Sequence, residues 1–415
     1  MRRKFVKWVM VLAVGVLALG ASGCPQEAPQ SFQKQNGFLS DKQFDEAKDA
    51  FDEIETPEDG LGVHFNESSC AGCHVSTVKG GLTGGSGPVT ELRAGHLDPG
   101  GQFVTAPGGT LITLLATGNA TPEVRALPAS ENVRDRFITL SLFGDGFVEC
   151  VADDMLRRIS REQNARTGGR IRGLIREVGV FEAPGKKAVG RFGWAAQHAS
   201  LLSFAADAYR NEMGITSKFE PEDNTFFGQK VPDKADPEDT GGTGDIGEDV
   251  EFFAQFMRAL SAPPRNFPAD AKDRKEVEEG AKIFKNIGCN VCHLTDLVTA
   301  KTGSKVNGGA FTVPAALGNK RFHPYGDFLM HDIGTGPAIL REGMPAETKN
   351  KIRTGALWGM GSRLANGEPL LHDGSAKTPE EAIERHKNSA AQEADKFRKL
   401  NAKDKERLLK FLRSL

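Results

Sequence analysis

Net charge, long apolar runs and cysteine are all scarce in this chain. Its 53 basic and 55 acidic residues sum to −2, so no strong field calls for nucleic acid or an anionic membrane. The apolar run from Trp8 to Leu19 is too short for a typical spanning helix. Cysteine numbers six in 415 residues, and four of the six fall in two copies of one pattern.

That pattern is Cys70-Ala71-Gly72-Cys73-His74 and Cys289-Asn290-Val291-Cys292-His293. Two thiols followed at once by an imidazole read as a c-type haem attachment site, with His74 and His293 as the iron's proximal ligands. Zinc would want four converging Cys or His ligands, whereas these pairs lie more than two hundred residues apart. A dithiol redox pair would need no histidine. The sequence therefore predicts two covalently bound haems.

Arg2, Arg3, Lys4 and Lys7 precede the apolar run, and Ala21-Ser22-Gly23-Cys24 follows it. The arrangement predicts a lipoprotein-type signal over residues 1–24 with Cys24 lipidated, or else an ordinary secretory signal. Either takes the chain out of the cytoplasm, and a periplasmic, lipid-anchored protein is the preferred reading. Cys150 is then the one cysteine left over, read as a small buried hydrophobe.

The remaining length suits two domains. One haem motif falls in each of 41–217 and 250–415, separated by an acidic, Gly/Pro-rich segment over 218–249 read as a linker. Phe44, Ala47 and Phe51 recur at helical spacing before the first motif, and a helix over 250–260 is stopped by Pro263-Pro264. Val277 to Ile287 leads into the second motif, and Leu408, Leu409, Leu412 and Leu415 line one face of a closing helix expected to cross it. The expected fold is mainly α: two cytochrome c-like haem domains with long irregular loops.

Several stretches resemble the bacterial dihaem oxidoreductase family, itself related to dihaem cytochrome c peroxidases. They are Gly60-Leu61-Gly62-Val63-His64-Phe65-Asn66 leading to the first motif, Gly190-Arg191-Phe192-Gly193-Trp194 with Asn211-Glu212-Met213-Gly214, Arg353-Thr354-Gly355-Ala356-Leu357-Trp358-Gly359, and Leu371-His372-Asp373-Gly374 with Glu380-Glu381-Ala382-Ile383. In the peroxidase relatives a histidine motif precedes the second haem's distal ligand by fourteen positions. The resemblance places His372 in that motif and His386 at the ligand position, where relatives use Met or Tyr. Thr378-Pro379-Glu380-Glu381 predicts a capped helix with Ile383, His386 and Ala390 on one face. Met360 is the first alternative ligand, with Met330 and Met344 behind it.

For the first haem the resemblance implies Trp194 as electron relay and Glu212 for acid/base work, with Glu149 a second acid/base candidate. Phe204 stands where the relatives carry Gln. His96, in a Gly/Pro-rich loop, and His198 are candidates to cap the first iron. His331-Asp332 is read as a loop hydrogen bond. The implied function is a periplasmic, peroxidase-like oxidoreductase. In it the C-terminal haem takes electrons from a donor such as a small cytochrome and passes them to an N-terminal haem that reduces a small oxidant. The alternative is a dihaem electron carrier with no substrate site.

Overall fold

The computed structural model describes residues 24–87, 89–230, 248–341 and 343–415. The signal segment before Cys24 and most of the expected linker lie outside the described residues.

The helix Asp41–Asp52 starts at Ser40, whose hydroxyl and the Gln43 side chain cap each other's backbone N–H, and buries Phe44, Ala47 and Phe51. These rings pack on the helix Glu248–Ala259: Phe44 and Phe51 lie 5.6 and 4.7 Å from Phe256, and Phe51 lies 6.3 Å from Phe253. Residues from both halves of the chain, from Ala28 to Trp358, share this core.

The second haem motif is entered from the helix Ala271–Ile287, capped by Asp270 and ended by Gly288 at φ +100°. The closing helix Ala402–Arg413 crosses it as expected. Gly280 makes the crossing close, because a Cβ there would meet the Arg407 carbonyl at 2.1 Å. Phe284 against Phe411 at 5.2 Å, with Leu408 and Leu412, forms the smaller core at the contact.

The rest departs from a mainly helical picture: helix accounts for 34% and strand for 16%. Strand Val89–Leu97 pairs antiparallel with Phe103–Thr105, Leu111–Ile112 and Val133–Ile138. The region expected to be a Gly/Pro-rich loop is thus largely sheet. The described start of the linker forms a hairpin, Thr225–Phe226 with Gln229–Lys230, and the Phe226 ring stacks on His64 at 4.5 Å. Near the start of the chain, Gln26–Glu27 runs parallel to Lys320–Phe322, and bridges join Gln30 to Ala262 and Gln35 to Leu260. Among the described residues no helix is long and apolar enough to cross a membrane.

Candidate functional site

Each Cys-x-x-Cys-His motif borders its own largely apolar cavity. The second is lined by Cys289, Cys292 and His293 together with His386, Met360 and Trp194. His293 turns its Nδ1 to the Tyr325 carbonyl at 2.9 Å, and His386 turns its Nδ1 to the Ala382 carbonyl at 2.7 Å. Donation from Nδ1–H to a carbonyl fixes the tautomer and leaves Nε2 with its lone pair. Burial lowers the His293 pKa to about 4, helped by the field of His386, and lowers that of His386 as well. Both imidazoles are held neutral, the form that ligates a metal.

The local structure around His386 differs from the expected continuous helix. Thr378 caps Pro379–Glu384 by accepting from Glu381 N. The helix then stops, and His386 N donates to the Ile383 carbonyl at 3.0 Å. Ile383, His386 and Ala390 still reach one cavity, through a turn rather than a helical stripe. Of the methionine alternatives, Met360 lines this cavity, Met330 is packed with Ala195 and Ala196, and Met344 borders a different cavity.

His372 is buried, 3.1 Å from Asp135, with its ring edge-on to Trp194 at 6.2 Å. His331 faces buried Asp327 at 2.8 Å, not Asp332, and lies 3.9 Å from the Cys292 sulfur. Arg353 lines the cavity too, donating to the Gly193 carbonyl at 2.6 Å, and burial lowers its pKa to about 10.

The first cavity is lined by Cys70, Cys73 and His74 with Phe204, Tyr209 and Glu212. Ser69 caps the short helix Cys70–Cys73, accepting from Gly72 N at 3.0 Å. The His74 Nδ1 lies 3.3 Å from the Gly85 carbonyl, and the Leu140 carbonyl also meets the ring. Burial lowers the His74 pKa to about 4. Among the described residues no second histidine lines this cavity; Met213 and Met257 do so as members of the apolar core.

Glu212 sits on a π-helical turn, Tyr209–Met213, a distortion that recurs at functional sites. Asn66 donates its side-chain amide to Glu212 Oε2 at 2.7 Å and its backbone N–H to the Glu212 carbonyl, also at 2.7 Å. Burial, followed by the field of Glu91, raises the Glu212 pKa to about 7. Phe204 brings an apolar ring to the same cavity, as its departure from the relatives' Gln implied.

Other candidates stand elsewhere. Trp194 borders the second cavity, and its indole N–H donates to the Ile138 carbonyl at 2.8 Å. Glu149 lines neither cavity. It is fully buried, pairs with Arg258 at 2.6 Å, and accepts from Leu201 N and the Asn307 side chain at 2.9 Å each. These bonds hold Glu149 in a buried ion pair away from both thiol-pair cavities. His96 lies on strand Val89–Leu97, 3.0 Å from Glu131, and His198 lies 3.1 Å from Asp207; neither borders the His74 cavity. Cys150 is buried, its thiol pKa raised by that burial, and Cys24 is exposed.

A family model described as "Di-haem oxidoreductase, putative peroxidase" matches residues 136–415. No curated protein matches the chain. Among solved structures, the chain is similar to Kuenenia stuttgartiensis hydrazine synthase pressurised with 20 bar xenon, at 14% identity over 100% of both chains and a TM-score of 0.40. It is also similar to a MauG-like protein associated with microbial copper homeostasis, at 13% identity over 96% of this chain and 95% of that one, TM-score 0.39. Likeness at that level carries no argument about the site.

Proposed function

The chain belongs to the di-haem oxidoreductase family, and from that premise we propose that it is a peroxidase-like enzyme in which the two sites have different duties. The residues fit two haems. Each cavity is bounded by a thiol pair and a neutral imidazole; His293 turns its Nδ1 to the Tyr325 carbonyl, leaving Nε2 for iron, and His74 turns its Nδ1 toward the Gly85 carbonyl. Cys70 and Cys73 would hold the first haem covalently, Cys289 and Cys292 the second, with His74 and His293 as proximal ligands. When bound, the haems supply one-electron chemistry and a metal centre able to take a small oxidant.

The carrying observation is the asymmetry between the cavities. His386 lines the second cavity with His293 and would give a haem held there a second imidazole ligand, which suits a site that stores and passes electrons. Among the described residues the first cavity has no second imidazole and instead holds Glu212, whose pKa of about 7 lets it take or give a proton at neutral pH. Asn66 fixes the orientation of that carboxyl, and Phe204 keeps the cavity apolar. Arg353, a buried cation lining the second cavity, would suit an anionic group of a haem held there. Electrons are proposed to run from an external donor such as a small cytochrome to the second site, then past Trp194 to the first. The basic start, apolar run and Cys24 support a lipid-anchored periplasmic setting.

The test is exogenous ligand binding. One-electron-reduced protein should bind carbon monoxide or cyanide at one haem only, and peroxide turnover should be lost in Glu212→Gln. If neither haem takes a ligand in any redox state, the protein is an electron carrier and the enzymatic reading is wrong.

A further inference from the structure

The chain holds only two tyrosines, and each stands at one of the thiol-pair sites. Tyr325 meets His293 through its carbonyl and packs its ring on Phe284 and Phe411. Tyr209 opens the π-helical turn that also carries Glu212, and both residues border the His74 cavity. Its ring is 2% exposed and stands edge-on to Phe253 at 5.1 Å within the main core.

The Tyr209 hydroxyl donates to Glu55 Oε1 at 3.0 Å, a bond in which both partners are buried. Glu55 is anchored by its own backbone N–H, which donates to the Ser68 carbonyl at 2.8 Å. It also lies close to the first thiol pair: burial, followed by the charge of Glu55, raises the pKa of the Cys70 thiol. A carboxylate and a phenol are thus joined beside the cavity of the first motif.

That pairing has a chemical consequence. A phenol that loses an electron becomes a far stronger acid, so its oxidation is easy only where a base already accepts from its hydroxyl. Burial raises the Glu55 pKa to about 7; the Tyr209 bond works against the rise, and the charges of Asp249, Glu53 and Asp59 add to it. The carboxylate is a base in a negative field, and that field favours both gain of a proton by Glu55 and loss of an electron by Tyr209. The apolar core around the ring keeps water from the oxidised product.

We propose that Tyr209 is a redox-active residue of the first site, giving an electron to that site while its hydroxyl proton passes to Glu55 Oε1. The inference rests on the peroxidase-like reading. Half-reduced protein stores one electron, at the second site, whereas a peroxide takes two as its O–O bond breaks. Tyr209 supplies the other. Its O–H bond breaks, the electron passes into the first site, and the proton joins Glu55, leaving a neutral phenoxyl radical and a carboxylic acid. Two protons from solvent complete the two waters formed from hydrogen peroxide.

The experiment adds hydrogen peroxide to half-reduced, haem-loaded protein, follows the Soret band, and freezes samples from milliseconds onward for electron paramagnetic resonance. A free-radical signal is expected that changes shape when the protein carries ring-deuterated tyrosine. Tyr209→Phe should remove the signal and Tyr325→Phe should not. A tyrosine radical in Tyr325→Phe can sit only on Tyr209, so the test does not depend on how Tyr209→Phe folds. Glu55→Gln still accepts the hydroxyl's hydrogen bond but cannot take its proton, and the signal should be lost there too. A Soret response without a tyrosine radical, or a radical that survives in Tyr209→Phe or is unchanged in Glu55→Gln, would overturn this inference and leave the peroxidase-like reading standing. No Soret response to peroxide in the unsubstituted protein would bring down both.

Discussion

The indole N–H of Trp194 meets the carbonyl of Ile138 at 2.8 Å, and two residues further on the carbonyl of Leu140 meets the ring of His74. Ile138 also donates its N–H to the His372 carbonyl at 2.7 Å. One short stretch of backbone therefore touches both cavities. Trp194 and His372 border the one, and His74 borders the other.

Trp194→Phe keeps the ring and removes the donor. Electron transfer between the haems should slow by roughly tenfold, the change that about 1.4 kcal/mol of added barrier produces. Both Soret spectra should stay as they are. The rate is read after flash photolysis of carbon monoxide from partly reduced protein, and an unchanged rate would remove the indole from the route.

His386→Ala should convert one haem from low to high spin in the electron paramagnetic resonance spectrum, and Met360→Leu should not. The two residues share the cavity of His293, but only the imidazole is oriented by a bond to a carbonyl. The reverse pattern would make the methionine the ligand.

Glu212 carries two pH-dependent consequences. Its pKa rises from 4.5 unfolded to about 7 folded, so the folded state holds a proton that the unfolded state releases between those values. Its contribution to stability is complete below about 4.5 and lost as pH rises through about 7. Glu55 and Asp145 are shifted in the same direction, so Glu212→Gln should reduce the slope of melting temperature against pH without abolishing it. Turnover should rise with pH through the same region as the carboxylate forms, and fall by roughly 10²–10⁴ in the variant. A wild-type slope in Glu212→Gln would place the titration elsewhere.

Glu149→Ala tests folding rather than chemistry. It leaves Arg258 buried without its partner, a loss of about 3–5 kcal/mol. A lower denaturation midpoint with unchanged turnover per haem-loaded molecule is expected. Lost turnover at full stability would restore Glu149 as a catalytic candidate.

Local features were the legible ones. The helical spacing of Phe44, Ala47 and Phe51, the capping residues before Pro379–Glu384 and the thiol pairs all express themselves within a few neighbouring positions. Distant partners were not. Glu149 looks like an acid/base group until Arg258, 109 positions away, is seen against it. His96 sits among glycines and prolines that read as loop, yet its strand is fixed by Arg134 to Ile138 across the sheet, beyond the reach of local pattern. His331 borders Asp332 in sequence, but its ring faces Asp327 instead.

The parallel pairing of Gln26–Glu27 with Lys320–Phe322 has a bearing on how the molecule assembles. Its two partners lie almost three hundred positions apart, and parallel ladders across such distances close slowly, because the entropy of the intervening chain is lost before any bond forms. A nascent chain that has not yet reached Phe322 has nothing to receive this segment. Completion of this pairing is thus a late event in the life of the polypeptide, after both thiol pairs have been synthesised.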